Sequence, residues 1–132
     1  MKLQPDKSSA PLVRAHGPGW IEIDHERHTQ SVLVSSLQDM PVCAWAPGRF
    51  EDLQAQHLAP LASRGAELVI LGTGQRLRFA PPSWLSPFAE HRVGLETMDT
   101  IAACRTYNIL ASEGRKVIAA LLIETDSTNS TP

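Results

Sequence analysis

Apolar residues fall into short blocks separated by polar stretches rich in proline and glycine. Trp20-Ile21-Glu22-Ile23 alternates and predicts a strand. Asp24 to Gln30 is polar and predicts a turn. Ser31 to Ser35, with Val32, Leu33 and Val34 at its centre, predicts the antiparallel partner of that strand. Pro41 to Trp45 predicts a third short strand, and Pro47-Gly48 a turn. Upstream, Pro5, Pro11 and Pro18 break residues 1–19 into an arm with one short edge strand expected at Leu12 to Ala15.

Phe50 to Arg64 changes period. Phe50, Leu53, His57 and Leu61 recur near one face, which predicts a helix. Pro60 must stop that helix near Ala59 or kink it, and Gly65 suits its C-terminal cap. Glu67 to Leu71 is apolar without alternation, as in a strand of a parallel sheet covered on both faces. Gly72-Thr73-Gly74 follows as a loop. Pro81-Pro82-Ser83-Trp84 predicts a short helix with Ser83 as its cap. Arg92 to Glu96 predicts the next strand. A helix capped by Asp99 or Thr97 then runs to Ser112 and ends at Gly114. Apolar side chains cover most of its circumference, which predicts a largely buried helix. Lys116 to Ile123 predicts the last strand.

This order predicts an α/β chain. The C-terminal part is a parallel β-α-β-α-β unit, preceded by an antiparallel β extension. Residues 20–123 form one domain between a flexible arm over 1–19 and a Ser/Thr/Asn-rich tail over 124–132. Two right-handed crossovers bring the Gly72 loop and the Thr97 to Thr100 segment to one edge of the sheet. Open α/β sheets bind ligands at that edge.

Composition narrows the function. A chain of 132 residues is one domain in size. A net charge of −2 argues against a nucleic-acid binder, which needs a basic face. No apolar run reaches the ~20 residues that span a bilayer, and the polar N-terminus does not look like a secretory signal. The expected compartment is the cytoplasm, with Cys43 and Cys104 reduced and buried.

Several residues are candidates for chemistry, each with a plainer alternative. Gly72, Thr73 and Gly74 either leave backbone N–H groups free for an anion or carboxylate or simply turn the chain at positive φ. They lack the third glycine and immediate helix of a dinucleotide fingerprint. Glu96, Asp99 and Thr100 lie beside that loop. Two carboxylates there suit acid–base work, or Asp99 caps the helix. Arg105, taken as lying in a buried helix, either meets a ligand carboxylate or pairs with Glu96 or Asp99. His25 and His28 have metal-ligand spacing but lack the three or four rigid ligands of a zinc site. Cys104 has no activating histidine in view. Neither a metal nor a cofactor is expected.

The residues Leu71-Gly72-Thr73-Gly74, Phe79-Ala80-Pro81, Gly94-Leu95-Glu96-Thr97-Met98-Asp99-Thr100, Ala103 to Leu110 and Glu113 to Val117 carry a resemblance to the Mth938-like domain family. It covers roughly Trp20 to Ile123. The resemblance implies a single three-layer α/β domain with a mixed central sheet and a β extension, and no established catalysis or cofactor. That family includes a mitochondrial complex I assembly factor, which works by binding a partner protein. The resulting expectation is a non-catalytic binding or assembly module that contacts another protein or its own copy. The alternative is a protein or enzyme that binds a small anion or carboxylate at the Gly72-Thr73-Gly74 loop.

Overall fold

The computed structural model describes residues 9–124. The chain forms two sheets. β1 (Val13–Gly17), β2 (Trp20–Ile23) and β3 (Glu26–His28) make an antiparallel sheet in the order β1-β2-β3. β4 (Val32–Ser35), β5 (Cys43–Ala44), β6 (Leu68–Gly72), β7 (Gly94–Met98) and β8 (Val117–Leu121) make a mixed sheet in the order β5-β4-β8-β6-β7. β6 runs parallel to both its neighbours, β7 and β8, and β4 is antiparallel to β8. Helical segments are α1 (Ala55–Leu58), α2 (Ser86–Glu90) and α3 (Thr100–Ser112).

The central strands are buried on both faces, so their alternate side chains feed two cores. Val117, Ala119, Leu121, Ile70, Val32 and Val34 face α3 and the small sheet, where they meet Ala103, Tyr107, Val13, Ile21 and Ile23. Ile118, Ala120, Leu122, Val69, Leu71 and Leu33 face the other way, onto Leu58, Leu61 and Phe88. The result is three layers about one mixed sheet, as the resemblance implies.

Several elements depart from the sequence reading. Val32–Ser35 does not pair with Trp20–Ile23. All four of its residues are buried, so it belongs inside the large sheet. The partners of β2 are β1 and β3. β3 lies within the polar stretch read as a turn. The turn itself shrinks to Asp24-His25, with Asp24 at a φ of 53°. The expected edge strand at Leu12 to Ala15 is β1, displaced toward Gly17 and bulged between Val13 and Ala15. Part of the arm over 1–19 is therefore sheet. The tail beyond Glu124 lies outside the described residues.

Phe50 to Arg64 is not one helix. A 3-10 turn at Phe50–Asp52, α1, and a second 3-10 segment over Ala59–Ser63 replace it, with Pro60 in the first turn of the last. There proline removes no hydrogen bond that the turn needs. Ser83 caps nothing: the short 3-10 turn Pro82–Leu85 begins at Pro81 with no side-chain cap. The strand expected at Arg92 to Glu96 starts two residues later, because Arg92 adopts a φ of 58°. Nor is α3 buried all round. Ile101 and Ile109 are 45% and 58% exposed, and Arg105 is exposed between them.

Candidate functional site

The glycine loop and the helix start do meet. Parallel register sets Gly72 opposite Met98 and beside Leu121, so three strand ends emerge together. Thr100 joins them. Its backbone N–H donates to the Gly74 carbonyl at 2.9 Å. Its hydroxyl accepts from the Gly74 N–H at 2.8 Å and donates to the Leu122 carbonyl at 2.7 Å. Both groups of that hydroxyl are therefore used, in a residue only 8% exposed. The Thr73 N–H donates to the Met98 carbonyl at 2.9 Å, and the Leu122 N–H to the Gly72 carbonyl at 3.0 Å. The Thr73 and Gly74 N–H groups that an anion would use thus have partners inside the fold.

The glycines fit this closure. A Cβ on Gly72 would lie 3.1 Å from the Thr100 Cα and 3.2 Å from the Ala103 Cβ, so the strand end packs against the helix backbone. Gly74 sits at a φ of +100°, where other residues are strained. The Thr73 hydroxyl, fully buried, donates to the Arg76 carbonyl at 2.7 Å and tightens the turn.

A clamp unforeseen in the sequence closes the far side of the loop. The Arg78 guanidinium donates to the Thr73 carbonyl at 2.8 Å and to the Glu124 carboxylate at 2.6 Å. It pairs with Glu51 at 3.3 Å and lies 4.9 Å from the Phe50 ring centroid. Glu124 also accepts from the Phe50 N–H at 2.9 Å. With side chains 19% and 15% exposed, Arg78 and Glu124 are sheltered enough that losing either strands the other. No motif pointed to this pair, because Glu124 opens a stretch read as tail and Arg78 follows an unremarkable Leu77.

The remaining candidates lie apart. Asp99 caps α3 by accepting from the Ala102 N–H at 2.9 Å, as one sequence reading held. Glu96 sits midway along the edge strand β7, opposite Ile70 and exposed. Arg105 makes no ion pair among the described residues. It is exposed, and the expected pairing with Glu96 or Asp99 is not formed. Cys104 is buried, and desolvation pushes its thiol up to about 12, which leaves it unreactive. Cys43 is exposed rather than buried. Among the described residues no three His, Cys, Asp or Glu side chains converge as a metal site would require. None of their helices is long and apolar enough to cross a membrane.

Asn108 and Tyr107 of α3 have a structural task. Asn108 accepts from the Val13 N–H at 2.9 Å and donates to the Val13 carbonyl at 2.8 Å. The Tyr107 hydroxyl donates to the Pro11 carbonyl at 2.8 Å, and burial raises its pKa. Together they fasten the small sheet to α3. Between that sheet and the first turn of α3 lies a pocket of about 70 Å³, walled by Trp20, Ile21, Ile101, Cys104, Leu122 and Ile123 among others.

Comparison with known proteins agrees with this architecture. A crystal structure of a Bordetella parapertussis protein is similar at 37% identity and a TM-score of 0.79, covering 87% of this chain and 97% of that one. A Bordetella pertussis solution structure, described as a Mth938-like domain, has 32% identity and a TM-score of 0.76 over 100% and 99% of the two chains. A curated relative from Xenopus tropicalis, NADH dehydrogenase [ubiquinone] 1 alpha subcomplex assembly factor 3, is 32% identical over 83 residues, covering 61% of this chain and 45% of its own. This chain thus spans about half the length of that relative. The family described as protein of unknown function DUF498/DUF598 matches residues 13–122. With two Bordetella folds of the same topology beside that match, the chain belongs to the DUF498/DUF598 family, in its Mth938-like form.

Proposed function

We propose that this protein is a non-catalytic binding module that works by contacting another protein, as an assembly factor does. One observation carries the reading: the similarity to relatives named as assembly factor 3 of the NADH dehydrogenase alpha subcomplex. The interior chemistry supports it. The one thiol near the loop is buried and held neutral, Asp99 is engaged as a cap, and Glu96 stands alone on an edge strand. The alternative, an anion or carboxylate site on Gly72, Thr73 and Gly74, has less support, because the Thr73 and Gly74 amides donate within the fold. In the same reading the protein works in the cytoplasm, which suits its two unpaired cysteines.

The test is purification of the tagged full chain from its native host at its natural abundance. Quantitative mass spectrometry then measures stoichiometry. The reading expects one other protein at close to equimolar amount. Recovery of the chain alone, as monomer or as its own oligomer, would overturn it.

A further inference from the structure

We infer that the open edge of β7 takes an added strand from a partner protein, an extended basic segment that lengthens the large sheet. This rests on the protein-binding reading and gives that reading a surface.

β7 ends the large sheet, with β6 on one side and no strand on the other. Its backbone groups face the two sides in turn. The Gly94 N–H donates to the Glu67 carbonyl at 3.1 Å, and the Met98 carbonyl accepts from the Thr73 N–H at 2.9 Å. Gly94, Glu96 and Met98 therefore commit their backbone groups to β6, and Leu95 and Thr97 turn theirs outward. The outward N–H and C=O groups of these two residues have no partner among the described residues. They stand in the spacing of a ladder, and another extended backbone is what satisfies it.

The other outer strands offer less. β5 is two residues long and β3 is three. β1 is bulged, and Asn108 already takes both backbone groups of Val13. β7 keeps an unbroken register with β6 and holds no proline or lysine, so it lacks several devices that blunt an edge.

Charge selects the occupant. From Val93 to Thr100 the chain has two acids, Glu96 and Asp99, and no base. Glu96 is exposed and makes no ion pair among the described residues. A residue beside it on an added strand would lie about 5 Å away, where opposite charge stabilises and like charge destabilises. Leu95 points to the other face, half-buried against the core that holds Phe88, and suits an apolar neighbour. The segment that fits alternates Lys or Arg with aliphatic residues.

A second copy of this chain is a poorer occupant. Two β7 edges would meet antiparallel about a two-fold axis. The register that joins all the outward groups pairs Leu95 with Thr97 and sets Glu96 against Glu96, where like charges repel.

Site-specific photo-crosslinking of the full chain in its native host tests the inference, with benzoylphenylalanine in place of Glu96. The expected result is a crosslink to one other protein, within a segment where Lys or Arg alternates with Val, Ile or Leu. Adding Thr97→Pro should lower the yield roughly tenfold, because it deletes an outward N–H. It removes no bond to β6, and an edge strand tolerates proline whose N–H side faces solvent, so the melting temperature should stay close to the parent. If the proline variant does not fold, hydrogen exchange on the purified parent complex decides: the Leu95 and Thr97 amides should slow at least tenfold when the partner is bound. Unchanged exchange there would overturn the inference. So would a crosslink that a folded Thr97→Pro variant leaves unchanged, or one only to a second copy or to an acidic segment. Silence at position 96 in cells from which the tagged chain recovers a partner would overturn this surface and leave the protein-binding reading standing. Recovery of no partner would overturn both.

Discussion

Replacing Thr100 with valine isolates the joint that holds the three strand ends together. The exchange keeps the shape of the side chain and deletes its hydroxyl. Two bonds vanish with it, the 2.8 Å bond from the Gly74 N–H and the 2.7 Å bond to the Leu122 carbonyl. Both bonds are buried, so each leaves its partner short of a hydrogen bond inside the fold. Each orphaned group costs about 1–3 kcal/mol. The carbonyl has a second lone pair and suffers less, which gives a loss of roughly 2–4 kcal/mol. In a domain of this size that lowers Tm by about 10 °C. Urea unfolding followed by tryptophan fluorescence measures the difference, with Thr100→Ser as a control that retains the hydroxyl and should lie near the parent. A Thr100→Val protein within about 0.5 kcal/mol of the parent would refute the joint, since surface changes of no consequence fall in that range.

Three further outcomes follow from the same geometry. Asn108→Ala should free β1, because it removes both bonds to Val13. It should cost about 1–3 kcal/mol and speed amide exchange along Val13–Gly17; unchanged protection there would contradict the fastening. Gly74→Val should destabilise the domain by about 1–3 kcal/mol, because its Cβ would enter the Glu124 carboxylate at a φ of +100°; an equal melting temperature would reject that conformation. Native protein near neutral pH should yield one thiol, Cys43, to a disulfide reagent, and Cys104 only on unfolding. The Cys104 thiol is pushed up to about 12 from 9.0, so the native state holds its proton more tightly. Its contribution to stability is whole below pH 9.0 and is lost as pH rises toward about 12. Two reactive thiols in the folded protein would contradict this burial.

The C-terminal half was legible because its signals are local. Unalternating apolar runs mark β6 and β8, Asp99 marks the start of α3, and Gly114 marks its end. Parallel connection then brings Gly72–Gly74 beside Thr100, a neighbourhood that order alone implies. The N-terminal half was less legible because strand pairing is a long-range choice. Val32, Leu33 and Val34 carry no mark that says whether β2 or β8 will be their neighbour; only complete burial decides it. Glu26-Arg27-His28 is polar yet forms a strand. Arg27 places its guanidinium 3.7 Å from the Trp20 ring centroid, and that contact offsets the missing apolar alternation. The apolar content of α3 predicts a buried Arg105, but the sheet covers only the Ala103, Tyr107 and Ala111 face and leaves Arg105 exposed. The Arg78–Glu124 clamp joins residues 46 apart in sequence, and neither residue type nor spacing announces such a pair.

The central claim is that the glycine turn is a closed joint of the fold, with the Thr73 and Gly74 amides committed to partners inside it. Amide exchange and chemical shifts of Thr73 and Gly74, followed by nitrogen-15 NMR, test it most directly. The account predicts exchange as slow as that of Val69 and Ile70 in β6, and no movement of either signal when phosphate or acetate is added. Rapid exchange at Gly74 together with a saturable shift on adding either anion would contradict it.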